Sequence, residues 1–297
     1  MNSPGKAPGA AAFLRQRSDA TPSETLFRDY ASYLLDAAGA RQLPVPLERI
    51  REACKLQRHT APIPQRGFLM GEAIVINSDD QATVQRFTEA HEMMETLAAV
   101  LRRYILDRLP EKMNGEFDRE KEHWCEAGAA ELLMPADLFF PLLPGAAPGL
   151  QTAKQLAGIC RTSFTATVRR ILDADRHPSI FLLLKEGHKK GQYVPSKAGQ
   201  LVLWDEPEDW DPPARLRVWR YWASPQVGDF VCRNESFPSN SVVYRAFETG
   251  SPGEIVHGEE QLDLEYIKGW HEIEAMPVTI SGERVVMALV NLLQGVR

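Results

Sequence analysis

The sequence predicts an α+β fold, with a mostly helical first part that contains a small sheet and a mixed or β-rich last part. Apolar residues recur at helical spacing up to about residue 172. From about residue 190, aromatic and β-branched residues alternate with turns. A Pro/Gly-rich stretch, FFPLLPGAAPGLQ at 139–151, interrupts the helical part. We therefore expect more than one domain.

The first elements follow a tail over residues 1–22 that we expect to be flexible. Apolar residues at helical spacing then predict a helix that ends at Gly39. The stretch PVPLERIREACKL at 44–56 predicts a second, short helix with Pro46 near its first turn. The stretch GFLMGEAIVI at 67–76 predicts paired strands with a break at Gly71.

Longer helices come next. The residues NSDD at 77–80 predict a capped helix over about 80–105. Asn114 and Gly115 predict a loop, followed by a helix over about 117–133. The stretch TAKQLAGICRTSFTATVRRIL at 152–172 has a helix–turn–helix rhythm, in which Ser163 can cap the second helix.

Composition excludes several classes of protein. The net charge of −6 gives no global attraction to nucleic acid or to an anionic membrane. The four cysteines, Cys54, Cys125, Cys160 and Cys232, form no CxxC pair, which is typical of a reducing compartment. No apolar run approaches the roughly 18 residues of a membrane span. We expect a cytoplasmic protein without a membrane partner.

The stretch RFTEAHEMMETL at 86–97 carries the first candidate site. His91 and Glu95 are four residues apart, so they share one face of a helix and can reach one ion. Glu92 follows His91 directly, at the position where zinc peptidases have their general base. A His–acid pair alone means little, because about one such pair is expected by chance in this composition. A second pair, His271-Glu272, stands in KGWHEIEAMP, for which we predict a helix closed by Pro277.

A third ligand is available in EHWCEAGAAELLMP at 122–135, where Glu122 and Glu126 lie one turn apart on a shared face. Together, RFTEAHE and AAELLMP resemble the motifs of the ImmA/IrrE family of metallopeptidases, over roughly residues 24–180. The resemblance implies a zincin-like peptidase domain over 23–140 and a helix–turn–helix-like subdomain over 150–188.

The family roles carry over by position. His91 matches the first metal ligand, Glu92 the catalytic acid/base and Glu122 the third ligand. Glu95 stands at the second-histidine position, which makes a variant HExxE motif. The two carboxylates of such a set neutralise a divalent ion fully. The additional oxygen ligand shifts the preference toward harder ions such as Mn²⁺, but Zn²⁺ still binds well in mixed sites. We therefore expect Zn²⁺, with Mn²⁺ as the alternative. The other interpretation is a pseudoenzyme in which Glu95 is an ordinary surface residue.

Six further residues are candidates for roles near the site or in the helical pair. Glu126 stands where the family has Asn or Asp, so it is expected beside the ligands. Cys125 replaces an alanine: its thiolate could block the open metal position, or it could be small packing. His123 could replace the missing histidine but points about 100° away from Glu122. Arg161, with Arg169 and Arg170, could touch phosphates or belong to a packing subdomain.

The last part resembles a GAF-type sensor over about 215–295, within a domain over 195–297. The resemblance rests on SVVYRAFETGSPGEI at 241–255 and EAMPVTISGERVVMALVNLL at 274–293. Such domains have a helix that ends in a TGxP-like turn and a late strand pair with a proline before the hairpin.

These resemblances imply a metal-dependent endopeptidase-like regulator. Its expected substrate is a helix–turn–helix transcriptional repressor, cleaved in a stress, DNA-damage or phage-defence response, with a nucleic acid or a small molecule as activator. The alternative is a catalytically inactive, metal-free sensor or a DNA-binding transcription regulator.

Overall fold

The structure is a computed structural model that describes residues 9–17, 21–106, 111–188, 214–228, 233–264, 267–280 and 282–292. Helices and two sheets confirm the α+β class. The chain forms two compact units. The first contains Met1–Leu143 and Lys154–Arg170, and the second contains Pro144–Ala153 and Ile171–Arg297.

The first unit begins with helices α1 (Ala10–Leu14), α2 (Glu24–Ala37) and α3 (Leu47–Cys54). Gly39, with φ of 58°, follows the end of α2 as predicted. Helix α1 lies within the predicted flexible tail, but its Phe13 is buried. The Phe13 ring packs 5.2 Å from the ring of Tyr30 on α2, so this part of the tail is held by the core.

A three-stranded sheet follows, with strands β1 (Gln57–Ala61), β2 (Gly67–Met70) and β3 (Ala73–Asn77) in the order β1-β3-β2. The predicted β2–β3 hairpin is confirmed, with Gly71 at φ of 63°. Strand β1 pairs in parallel with β3 and was missed, because its residues QRHTA are polar and mostly exposed. Strand β2 is an edge strand of this sheet.

Two long helices, α4 (Ala82–Leu106) and α5 (Glu111–Leu133), pack against each other. The prediction of a loop at Asn114 and Gly115 is wrong, since both lie inside α5. One glycine costs a helix only about 1 kcal/mol, which the packing of a long helix offsets. Helix α5 ends at Leu133, and Pro135 precedes the short helix α6 (Ala136–Phe139) and the 3₁₀ turn Phe140–Leu142.

The helical pair is formed by α7 (Leu150–Cys160) and α8 (Phe164–Asp173). Ser163 caps α8 by accepting the N–H of Ala166 at 3.2 Å, as predicted. Arg170 is only 1% exposed and binds the Glu131 carboxylate and the Met134 carbonyl. It therefore cannot contact phosphates, which corrects that interpretation of Arg170.

The second unit contains an antiparallel sheet in the order β5-β4-β8-β7-β6. Its strands are β4 (Ser179–Gly187), β5 (Arg215–Ala223), β6 (Val256–Asp263), β7 (Lys268–Ile280) and β8 (Glu283–Leu292), and one helix, α9 (Val242–Thr249), shares its apolar core. Two stretches of the alternating pattern expected after residue 190, LVLW at 201–204 and DFVC at 229–232, lie outside the described residues.

The helix predicted around His271 is wrong, because these residues form β7. Proline is tolerated there since β6 begins at Val256 opposite Ala275, which leaves Pro277 with β8 as its only strand partner among the described residues. His271 is buried, and its Nε2 lies 3.1 Å from the Lys268 carbonyl oxygen. This His-Glu pair is therefore part of the sheet.

None of the helices in the described ranges combines the length with the apolar character needed to cross a bilayer.

Gly128 of α5 lies at a close approach to α4 and α2. A Cβ there would lie 2.6 Å from the Met94 sulfur and 3.1 Å from the Phe27 carbonyl oxygen. We expect Gly128→Ala to lower the free energy of unfolding by about 1–3 kcal/mol through overpacking. Urea unfolding followed by circular dichroism measures this change.

The matched control is Gly158→Ala, since a Cβ at this helical position meets nothing within 4 Å. We expect it to be neutral or to stabilise by about 0.5–1 kcal/mol through helix propensity. Equal effects of the two substitutions would contradict the proposed close packing.

Candidate metal centre

Five of the predicted site residues, all except Cys125, line one open cavity of about 530 Å³. Helix α4 provides His91, Glu92 and Glu95 because these positions fall on one side of it. Helix α5 forms the second wall, and β2 forms the third. Further lining residues are Gly67, Phe68, Leu69, Thr88, Lys121, Glu122 and Glu126.

His91 lies close to both of the other predicted ligands in this cavity. The Nε2 atom of His91 lies 3.9 Å from Oε1 of Glu95 and 3.5 Å from Oε2 of Glu122. Glu95 is mostly covered, whereas the Glu122 side chain is 64% exposed and can adjust to an ion. The arrangement thus offers one imidazole nitrogen and two carboxylates.

Lys121 is a site residue that sequence reasoning missed. Its Nζ lies 2.9 Å from Oε1 of Glu95 and 3.4 Å from Oε1 of Glu122. Burial opposes the charged ammonium, but these two carboxylates outweigh it and raise the pKa of Lys121. The only sequence signal was its place beside Glu122, since its proximity to Glu95 depends on how the helices cross.

Glu92 is buried and its carboxyl group is protonated more readily than usual. Burial raises its pKa to about 7, with further contributions from the charges of Glu95 and Glu122. Lys121 and a hydrogen bond with the backbone of Leu69 partly oppose this rise. A carboxyl group in this range can both accept and donate a proton near neutral pH.

Cys125 is a buried residue of α5 that lies beside His91 and Glu95. Its sulfur, a nitrogen of His91 and an oxygen of Glu95 all lie within 4.8 Å of one another. Burial, followed by the charges of nearby carboxylates, raises the pKa of the Cys125 thiol far above its usual range. The thiol is therefore protonated at neutral pH unless a bound cation displaces the proton.

Two other predicted neighbours have their own partners. The Nε2 atom of His123 lies 2.9 Å from Oε2 of Glu24, and its side chain is largely exposed, so it does not replace the missing histidine. Glu126 lines the cavity and accepts a hydrogen bond from Arg169 at 3.2 Å.

The donor set fits a divalent cation. An imidazole nitrogen with carboxylate oxygens is a common ligand combination for first-row divalent metals. When ionised, Glu92, Glu95 and Glu122 leave an excess of two negative charges over Lys121. Gathering these carboxylates is costly without a compensating cation, so the cluster favours an ion near His91.

Comparison with known proteins gives three findings. Residues 43–172 match the family model Peptidase_M78, described as the IrrE N-terminal-like domain. The radiation response metalloprotease IrrE of Deinococcus deserti is 32% identical over 108 residues, which are 36% of this chain and 38% of that protein. The chain therefore matches well under half the length of that relative.

The third finding concerns fold alone. A solved Mycobacterium tuberculosis transcriptional regulator aligns with a TM-score of 0.58 and 14% identity. The alignment covers 90% of this chain and 76% of that one.

The role of Cys125 is testable. We expect Cys125→Ala to retain divalent-metal affinity within about threefold, because the thiol is protonated and the carboxylates provide the charge. Equilibrium dialysis followed by elemental analysis measures the affinity. Glu95→Ala, which removes a predicted ligand, is the positive control, and a loss of more than about tenfold in Cys125→Ala would instead make the sulfur a ligand.

Proposed function

We propose that this chain, whose residues 43–172 belong to the IrrE N-terminal-like peptidase family as the paired motifs predicted, is a metal-dependent endopeptidase that regulates transcription. The observation that carries the proposal is that His91 lies 3.9 Å from Glu95 and 3.5 Å from Glu122, beside a buried Glu92 in an open cavity. Ligands, an acid/base and access for a substrate are thus present together.

The metal would be held by His91, Glu95 and Glu122, with Zn²⁺ as the proposed ion and Mn²⁺ as the alternative. When bound, a divalent ion supplies Lewis acidity to the peptide carbonyl and to the attacking water. Glu122 is the most exposed of the three side chains and can adapt its position to the size of the ion.

Glu92 is proposed as the acid/base. A bound cation would offset the charges of Glu95 and Glu122, so the part of the pKa rise that persists is the part due to burial. The hydrogen bond with the backbone of Leu69 keeps the Glu92 carboxyl group close to β2. Glu92 would take the proton of the attacking water and pass it to the leaving amine.

Lys121 has a charge-balancing role in this proposal. A His-Glu-Glu set neutralises a divalent ion, whereas a His-His-Glu set leaves one positive charge. The ammonium of Lys121 lies 2.9 Å from Glu95 and restores that charge to the site. Glu95 and Lys121 together would therefore resemble a histidine in net charge, which preserves the acidity that the reaction requires.

The edge strand β2 is the proposed substrate-binding element. Its residues Gly67 to Leu69 line the cavity, and its only strand partner in the described part of the chain is β3. The contact of the Leu69 backbone with Glu92 places this edge beside the acid/base. An extended segment can add to such an edge by main-chain hydrogen bonds. A loop of a helix–turn–helix repressor is the substrate that we propose.

The helical pair and the second unit are assigned regulatory roles by resemblance. Helices α7 and α8 are consistent with a helix–turn–helix-like segment. The end of α9 at Thr249 and the hairpin of β7 and β8, with Pro277 before its turn, support a GAF-like sensor. A nucleic acid or a small molecule would activate cleavage in a stress, DNA-damage or phage-defence response.

A metal-free transcription regulator is the second candidate. It is favoured by Lys121, whose ammonium already neutralises part of the charge of Glu95 and Glu122. It is also favoured by the similarity in fold to a mycobacterial transcriptional regulator. Metal analysis separates the two candidates.

The first test compares wild type with Glu92→Gln and His91→Ala. We expect Glu92→Gln to keep the ion and to lose cleavage by at least about a hundredfold, because only the proton transfer is removed. His91→Ala should lose both. Elemental analysis measures the ion, and electrophoresis of a helix–turn–helix repressor encoded nearby measures cleavage. A wild type that stays metal-free in excess Zn²⁺ and Mn²⁺ would support the second candidate instead.

The second test concerns Lys121→Met. Removing the ammonium should strengthen divalent-metal binding by about tenfold, because the ion no longer competes with a cation for Glu95 and Glu122. Competition with a chelating dye measures the affinity. Arg102→Gln removes a positive charge from an exposed ion pair between α4 and α5 and should leave the affinity unchanged. Equal or weaker metal binding by Lys121→Met would refute the competition.

A further inference from the structure

A second cavity of about 360 Å³ lies in the first unit and carries a different charge. We call it the arginine cavity. Its charged residues come from α3, β1, α4 and the turn between α7 and α8: Glu48, Arg51, Arg58, Arg86, Glu89 and Arg161. Four guanidinium groups and two carboxylates leave a surplus of two positive charges, in a chain whose net charge is −6.

Only part of this positive charge is neutralised by the protein. Glu89 is nearly covered and binds two arginines, with 2.6 Å from Oε1 to Nε of Arg51 and 3.2 Å from Oε2 to Nε of Arg58. Each of its oxygens thus lies within ion-pair distance of one guanidinium group, although the contact with Arg51 is not aligned as a hydrogen bond. Arg86 and Arg161 have no carboxylate within ion-pair distance among the described residues.

One hydrogen-bond donor of Arg86 is buried without a partner in the described structure. One of its terminal nitrogens donates to the Val45 carbonyl, while its Nε is buried without a hydrogen-bond partner in the described structure. Burial lowers the pKa of Arg86, Glu89 opposes that effect, and the charge of Arg161 adds to it. Two neighbouring guanidinium groups without an intervening acid are costly unless an anion lies between them.

Arg161 also has an unusual backbone conformation. It is an exposed residue at φ of 53°, in the left-handed region that favours glycine. The turn would therefore be more stable with glycine at this position. A side chain that the backbone disfavours, directed to a cavity of unbalanced arginines, is consistent with a role in binding.

We propose that the arginine cavity binds the phosphate group of a small phosphorylated molecule. The surplus of two charges matches a phosphate dianion, and guanidinium groups bind phosphate oxygens in a bidentate manner. Helix α3 begins at the cavity, and no side chain caps its first turn, which adds amide dipoles favourable to an anion. The volume fits a phosphate with a sugar-sized group, and Pro44 and Pro46 provide an apolar wall.

The site faces away from the candidate metal centre but shares a helix with it. Arg86 and Glu89 line the arginine cavity, whereas Thr88, His91 and Glu92 line the metal centre. Arg86 and the proposed acid/base Glu92 are six residues apart on α4, which is less than two helical turns. The arginine cavity is nevertheless a separate site, and the binding proposed for it does not depend on peptidase activity.

Calorimetric titration of the full chain with ribose 5-phosphate, and with ribose as the matched ligand, tests the proposal. We expect saturable binding of ribose 5-phosphate and none of ribose. Arg161→Gly should weaken binding by about tenfold or more, since it removes a charged donor. Its melting temperature should stay the same or rise, because glycine suits the turn. Arg103→Gln removes an exposed arginine from α4 outside the cavity and should bind like wild type.

Four results would overturn the proposal. They are wild-type affinity in Arg161→Gly, equal binding of ribose and ribose 5-phosphate, and absence of saturable binding by wild type. The fourth is displacement of ribose 5-phosphate by succinate, or by an oligonucleotide without terminal phosphates, at a concentration lower than that of ribose 5-phosphate. Succinate would point to a carboxylate site, and the oligonucleotide to a nucleic-acid backbone site.

Discussion

The close packing of α4 between two glycines is the constraint on which the candidate metal centre depends. On one side, Gly128 of α5 leaves room for the side chain of Met94. On the other side, a Cβ at Gly67 of β2 would lie 2.5 Å from Thr88 and 2.8 Å from the Val75 carbonyl oxygen. Helical periodicity determines which residues of α4 face the cavity, but these two contacts determine how near α5 and β2 come. At this separation Glu122 reaches His91, and the Leu69 backbone reaches Glu92.

Charge is divided between the two sides of the same helix. One side of α4 gathers carboxylates around His91, and the other contributes Arg86 to a surplus of guanidinium groups. Because Glu92 is buried and Arg86 is largely covered, such imbalances are costly unless counter-charges are present. The buried pair of Arg170 and Glu131 is different, because its two charges neutralise each other. Glu131 also accepts the N–H of Ala136. The two unbalanced cavities differ from that pair, and this difference supports their assignment to ligands.

The sequence predicted the features that depend on local spacing. The helix of His91 and Glu95, the β2–β3 hairpin and the cap at Ser163 follow from periodicity and turn chemistry. It could not predict features that depend on tertiary contacts. Strand β1 is polar and exposed, so its pairing leaves no apolar pattern. Strand β7 contains Pro277 yet remains a strand, because its partner β6 has not begun there. Lys121 enters the site only because α4 and α5 cross where they do.

Lys121 also changes how the Glu95 substitution is interpreted. Taken alone, a carboxylate in place of a histidine removes one positive charge from a metal site and would weaken its acidity. A neighbouring ammonium 2.9 Å from that carboxylate returns the charge, but through a side chain that is not a ligand. While the ion is absent, the same ammonium pairs with the carboxylates that the ion would bind. A site of this kind would bind metal less tightly than a His-His-Glu site and yet keep a similar net charge once loaded. Occupancy, more than acidity, is then the property that the Glu95 and Lys121 pair controls.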